Sequence, residues 1–255
     1  MRLWVERLTV AKGGRAVLAD VTAEFPSGRL SVVIGPNGAG KSSLLRAIAG
    51  LDAVAPVSRI ILGERDLSPN AAHERAKDIA WSPAASDAPF AYEMLDAVVM
   101  GRFPWHRGAP SSKDVAAAER ALLSVGLGPS FHRRTLPSLS SGERMKVMVA
   151  RALASESACL LFDEPTANLD IGAAFRLMAL FKAEAARGRT VIVALHDLPL
   201  ACRAADHAVC LTAGRLAALG QPAQVFSAAV LNQIFAVKAA PVRTPGGEAS
   251  LLFDS

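Results

Sequence analysis

Residues Gly35-Pro36-Asn37-Gly38-Ala39-Gly40-Lys41-Ser42-Ser43 carry the spelling G-x-x-x-x-G-K-[ST]. Glycines at 35, 38 and 40 let the backbone fold back with no Cβ in the way, so successive N–H groups face inward and cradle phosphate oxygens. Lys41 is placed to reach β- and γ-phosphates as a point charge, and the Ser42 hydroxyl to sit on Mg²⁺; Ser43 belongs to the helix that follows. The spelling needs a strand before it and a helix after it. Leu30-Ser31-Val32-Val33-Ile34 reads as the strand, and Leu44 to Gly50 as a helix whose positive N-terminal end adds to the anion site. A glycine turn joining a strand to a helix is the alternative, and the Lys-Ser pair between matching flanks argues for a nucleoside triphosphate site.

A second group is acidic. Leu160-Leu161-Phe162-Asp163-Glu164 is an apolar strand ending in adjacent carboxylates, which point to different sides and can hold different jobs. Asp163 is suited to hold Mg²⁺ through water, and Glu164 to polarise an attacking water as general base. Alone, such a strand end caps a loop equally well; beside a phosphate loop it becomes a hydrolytic pair. His196 tips the strand Thr190-Val191-Ile192-Val193-Ala194-Leu195, a position where a lone histidine is ordinarily a satisfied structural residue.

A chain of 255 residues, 51% apolar and 20% charged, can bury one substantial core, or one core with a subdomain attached. No apolar run approaches the roughly 18 to 20 residues that span a bilayer, and Met1 to Glu6 lack a signal peptide's apolar core, so the protein is expected in the cytosol. Cys159, Cys202 and Cys210 lie in apolar surroundings without C-x-x-C spacing, which favours buried reduced thiols over a metal site or disulfide. The net charge of +5 comes from scattered basic residues not interleaved with aromatics, an ordinary solvated surface rather than a nucleic-acid face.

The elements that must position these groups follow in order. Leu3-Trp4-Val5, Leu8-Thr9-Val10, Ala16-Val17-Leu18 and Val21 to Phe25 read as short strands around a Lys12-Gly13-Gly14 turn. Arg59 to Leu62 and Ile79 to Ser82 are further strands. From Ala84 to Pro137 the texture turns helical, with an amphipathic helix from Ser112 whose Val115, Ala118, Leu122 and Val125 share a face before Gly126. Leu139 to Glu143 open a helix with Met145, Met148, Val149, Ala152 and Leu153 on its apolar side. Asp163-Glu164 then stand at the C-terminal end of a strand, where α/β sheets place ligands. A last strand, Ala208 to Leu211, turns at Ala213-Gly214 into Arg215-Leu216-Ala217.

Taken together, these segments resemble the nucleotide-binding subunit of an ABC transporter over essentially the whole chain. Leu139-Ser140-Ser141-Gly142-Glu143 is similar to the family signature LSGGQ, Pro165-Thr166-Ala167-Asn168-Leu169-Asp170 to the D-loop, and His196 to the switch histidine. The resemblance implies a P-loop NTPase (RecA-like) α/β core with an N-terminal antiparallel β-subdomain and an inserted helical subdomain. It divides a single ABC ATPase domain into 1–83 and 156–225 as core and β-subdomain, 84–155 as helical subdomain, and 226–255 as tail. It also implies ATP and Mg²⁺ as cofactors and a head-to-tail homodimer, each ATP lying between one copy's P-loop and the other's signature. Leu95 to Trp105, with Gly101-Arg102-Phe103-Pro104, looks like the L-x-x-V-x-x-G-R-x-P segment of ATPases serving iron-chelate, haem and vitamin B12 importers, as does the tail from Val225-Phe226 to Val237.

The expected function is therefore an ATPase driving uptake of an iron-chelate-like substrate through separate membrane permease subunits. It would sit peripherally on the cytoplasmic face of the membrane, receive substrate indirectly from a binding protein, and contact no nucleic acid. The permease is expected to dock in the groove from Ala84 to Trp105. Four positions depart from the family pattern: Lys12 stands where relatives carry an aromatic for adenine, Ala84 where they carry the Q-loop Gln, and, more mildly, Ser141 and Glu143 replace the first glycine and the glutamine of the signature. A nucleotide-responsive subunit with weak ATPase is the alternative that Lys12 and Ala84 suggest. A soluble ABC protein of DNA repair or translation would need a coiled-coil insert or a second nucleotide domain, for which the chain has no room.

Overall fold

A computed structural model of the chain describes residues 1–84, 91–105, 108–244 and 247–253. The first third supplies strands β1 (Leu3–Lys12), β2 (Arg15–Phe25) and β3 (Leu30–Ile34), helix α1 (Lys41–Ile48), strands β4 (Arg59–Leu62) and β5 (Arg65–Asp66), a turn of helix α2 (Ala72–Arg75) and strand β6 (Ile79–Ser82). Next come helices α3 (Met94–Val99), α4 (Ser112–Ser124) and α5 (Ser141–Ala154), with a 3₁₀ segment at Met100–Trp105. Strand β7 (Cys159–Asp163), helix α6 (Ile171–Ala186), strand β8 (Thr190–Ala194), helix α7 (Leu198–Ala204) and strands β9 (His207–Thr212) and β10 (Arg215–Gly220) restore the α/β alternation. The chain ends in α8 (Pro222–Val225), α9 (Ala228–Phe235), β11 (Ala239–Arg243) and β12 (Ala249–Phe253).

The central sheet runs β10-β9-β3-β8-β7-β6, parallel except for β10. Every residue of β3, β7 and β8 is buried, as a parallel sheet covered on both faces requires, and this is why these strands read as largely apolar runs. One face packs Val33, Leu161 and Ile192 against Leu44, Leu45 and Ile48 of α1 and the antiparallel sheet β2-β1-β4-β5. The other packs Val32, Phe162 and Val193 against α5, α6 and α7, with Phe162 stacked on Phe181 at 4.1 Å between ring centroids. The three cysteines are free and buried. No helix among the described residues is long and apolar enough to cross a membrane.

Two readings are corrected. The four short N-terminal strands are two long ones, because the kinks that break their alternation do not end the pairing. Arg7 and Asp20 take positive φ (51° and 56°), and the N–H groups displaced there donate to Thr22 Oγ1 and Thr9 Oγ1. The strand at Ala208 to Leu211 and its return are also not the last: β11 and β12 form a further antiparallel pair, which buries Ala239 and Leu251.

The helical insert starts its main helix as expected. Ser111 caps α4 and exchanges hydrogen bonds with Asp114, and Ala118 and Leu122 are fully buried. Arg75 closes the C-terminal end of α1. Its guanidinium is buried and donates to the carbonyls of Ala47, Ile48, Ser68 and Asn70 at 2.9 to 3.0 Å. Burial lowers its pKa, and the carbonyls are what keep a charged group there. Arg75→Met is expected to remove these bonds and lower unfolding stability by about 2–4 kcal/mol, read as a shifted denaturant midpoint at unchanged slope.

Candidate functional site

Three neighbouring strand ends carry the site. Leu195 N–H donates to Val33 O and Glu164 N–H to Ala194 O, both at 3.0 Å, so the chain beyond β3, β8 and β7 leaves the sheet at one level. The phosphate loop follows β3. Its first glycine, Gly35, has φ 155°, and a Cβ there would lie 2.3 Å from Leu211 O. Gly40 caps α1 at φ 100°, with Leu18 Cδ2 2.6 Å from where its Cβ would stand. A larger residue at Gly35 collides with the backbone of the neighbouring strand, and one at Gly40 displaces the Leu18 side chain and is strained by its positive φ.

Lys41, at the first turn of α1, is buried, and its ammonium donates to Gly35 O at 2.8 Å and Pro36 O at 3.4 Å. The cation thus folds back over the loop it belongs to. Ser42, next on the helix, is exposed at the loop's mouth, while Ser43 is buried behind it; Pro36, Asn37, Gly38 and Ala39 complete the turn.

Asp163 ends β7 and is 4% exposed. Burial raises its pKa above the ordinary value; the Ser42 hydroxyl, Lys41 and Arg46 oppose that rise, and the Glu164 charge adds to it. Its Oδ1 is buried with no hydrogen-bond partner among the described residues. Glu164 leaves the strand in the left-handed region, φ 46°, which turns its side chain away from the line of β7. Its Oε2 lies 3.4 Å from His196 Nδ1. A cation, two carboxylates, a hydroxyl and an imidazole therefore gather at the C-terminal edge of the sheet.

The expected signature starts α5 with Ser140 as its N-cap, not within the helix. Ser140 Oγ accepts from Glu143 N–H, and Glu143 accepts in return from Ser140 N–H, a reciprocal cap that the spelling Ser-x-x-Glu allows. Glu143 is also held by Arg134 at 2.9 Å, and its pKa is lowered, first by the Ser140 backbone. Gly142 abuts the expected D-loop: a Cβ on it would stand 2.9 Å from Asn168 O and 3.3 Å from Leu169 Cδ2. Leu139 is buried and Ser141 exposed. Asp170 caps α6, accepting from Ala173 N–H at 2.7 Å.

The departures at Lys12 and Ala84 are structurally distinct. Lys12 does not lie loose over the loop: its ammonium is 2.6 Å from Asp52, which Arg46 also holds at 2.9 Å. Ala84 forms a bend beyond β6 and brings no polar group; of the expected docking groove, residues 85–90 lie outside the described residues, while 91–105 are described. Sequence reasoning missed Arg46 and Asp52. Arg46, whose guanidinium lies 5.6 Å from the Trp81 ring centroid, is signalled only by an arginine in a largely buried helix.

Known proteins resemble this chain in sequence and in fold. A family model described as ABC transporter matches residues 18–167. The hemin import ATP-binding protein HmuV of Rhodococcus jostii (strain RHA1) is 40% identical over 233 residues, 91% of this chain and 79% of that protein. The cobalamin import ATP-binding protein BtuD of Halobacterium salinarum (strain ATCC 29341 / DSM 671 / R1) is 38% identical over 245 residues, 94% of this chain and 60% of that protein. Among solved structures, a chain described as a metal-chelate type ABC transporter in an inward-facing conformation superposes with a TM-score of 0.84 at 25% identity, covering 99% of this chain and 97% of that one.

Since the fold raises the Asp163 pKa, the nucleotide-free protein binds that proton more readily folded than unfolded and gains stability as pH falls through the raised folded value toward the ordinary 3.8. Asp163→Asn is expected to raise the nucleotide-free melting temperature at neutral pH and to flatten this dependence. Melting curves collected across the pH range without nucleotide check both.

Proposed function

The chain belongs to the ABC transporter family, whose ATP-binding subunits hydrolyse ATP to drive transport, and on that premise we propose that it powers uptake of an iron-chelate-like substrate through a separate membrane permease. The observation that carries the reading is the convergence of Lys41, Asp163, Glu164 and His196 on one edge of the sheet, in a chain related to import ATP-binding proteins for hemin and cobalamin.

ATP lies with its phosphates in the nest from Gly35 to Ser43. The Lys41 ammonium exchanges the carbonyls of Gly35 and Pro36 for β- and γ-phosphate oxygens, so no desolvation of the lysine is left to do when nucleotide arrives. Ser42 and Asp163 fit a magnesium ion: a hydroxyl beside a buried carboxylate whose Oδ1 lacks a donor is an oxygen set that a hard cation satisfies. When bound, that ion spreads the charge of the phosphates. Glu164 accepts the proton of the attacking water, and His196, 3.4 Å from it, holds the carboxylate and faces the γ-phosphate.

A second copy supplies Leu139, Ser140, Ser141, Gly142 and Glu143 across the nucleotide, with Leu169 and Asp170 at the seam, so the working unit is a homodimer. The subunit sits peripherally on the cytoplasmic face of the membrane and meets the substrate-binding protein only through the permease. The permease docks where Trp81, Met100, Phe103 and Pro104 line a cavity of about 280 Å³. Lys12, tied to Asp52, offers adenine at most an aliphatic stem, and Ala84 offers no polar group to magnesium or the attacking water; these favour the second reading, a nucleotide-responsive subunit of weak turnover.

Glu164→Gln is expected to cut phosphate release by roughly a hundredfold or more while nucleotide binding persists. Hydrolysis at the parent rate would remove Glu164 from the base position. Parent ATPase that stays slow and indifferent when the co-purifying permease is restored in liposomes would favour the second reading.

A further inference from the structure

A cleft of about 340 Å³ opens where the C-terminal end of α4 meets α5 and α6, outside the phosphate site. Leu123, Leu169, Leu177 and Leu180 give it apolar walls, and Lys146 and Arg176 bring two positive charges to it. Neither cation has a side-chain ion pair or hydrogen bond among the described residues; the Asp170 carboxylate and Arg176 each stand 3.3 Å from where a Gly172 Cβ would be without pairing, whereas Arg102, Arg134 and Arg189 each have a carboxylate in contact. The end of α4 does not take their place: Leu122 O accepts from Val125 and Leu127 N–H, and Leu123 O from Gly126 N–H. Like charges sharing one cleft repel, and an anion between them removes that repulsion while its apolar body covers the leucines.

We propose that this cleft binds an amphipathic carboxylate, a small molecule with a medium-length apolar body and an anionic head set between Lys146 and Arg176. The position gives the ligand leverage. Lys146 stands one turn beyond Gly142 on the same face of α5, and Gly142 packs on the carbonyl of Asn168 beside Leu169. Arg176 stands one turn beyond Gly172 on α6, its Nη1 3.3 Å from where a Gly172 Cβ would be. A ligand held by both cations fastens α5 to α6 next to the D-loop, and so ties the helical insert to the core.

Calorimetric titration of the full chain with decanoate, with decanol as the neutral probe of equal length, tests this. The parent is expected to bind decanoate, and decanol at least roughly tenfold more weakly. The double variant Lys146→Gln/Arg176→Gln is expected to lose decanoate affinity by at least about tenfold while ATP binding and melting temperature hold. Leu123→Asp, at a side chain 66% exposed whose replacement leaves the core intact, is expected to weaken binding as well. No decanoate binding at millimolar concentration, decanol binding as tight as decanoate, or a double variant that binds like the parent would each overturn the proposal.

Discussion

A carboxylate kept inside a protein disfavours its own charge, and the arrangement of this molecule follows from how Asp163 is kept there. It ends a strand buried on both faces and paired on both sides, so it cannot move out to water. Burial pushes its pKa up, and only groups brought by other elements push back: the hydroxyl of Ser42 and the cations of Lys41 and Arg46, all on α1. Helix α1 is in turn fixed by glycines that admit no Cβ at the loop before it and by a buried arginine at its far end. The pocket is thus electrostatically incomplete by construction, and it is the kind of incompleteness that a metal-nucleotide removes.

Helix α5 joins this pocket to the outer face of the helical insert. Its N-terminal end carries the reciprocal Ser140–Glu143 cap and touches the D-loop; its C-terminal end is held by the 3₁₀ segment, whose Gly101 admits no side chain because a Cβ there would stand 2.1 Å from Arg151 O. A helix fixed at both ends transmits displacement along its length with little loss, since its backbone bonds are all internal.

Much of this was legible in the sequence. The phosphate loop announces itself because glycine spacing and a Lys-Ser pair are dictated by backbone geometry and phosphate chemistry, with few other uses. Strands β3, β7 and β8 announce themselves because burial on both faces makes them mostly apolar, with one polar residue each, Ser31, Asp163 and Thr190. The kinked β1 and β2 were misread because Arg7 and Asp20 break the alternation locally while threonine hydroxyls repair the pairing, a compensation between residues 15 and 11 apart. The Lys12–Asp52–Arg46 cluster was invisible for a related reason: it joins three segments, and no local pattern marks a charge whose partner is remote in the chain. The final hairpin, of modest length and with β11 largely exposed, lacks the apolar content that would separate it from a tail.

The side chain of Arg102 fans out to Asp114, Glu156 and the carbonyls of Ala154 and Ser155, and Trp105 donates to Ser155 O at 2.7 Å. Through these bonds the 3₁₀ segment, the start of α4 and the end of α5 grip one another rather than the central sheet. Because this segment is fastened by its own side chains and carbonyls, substitutions on its exposed outward surface leave both the fastenings and the strand ends in place.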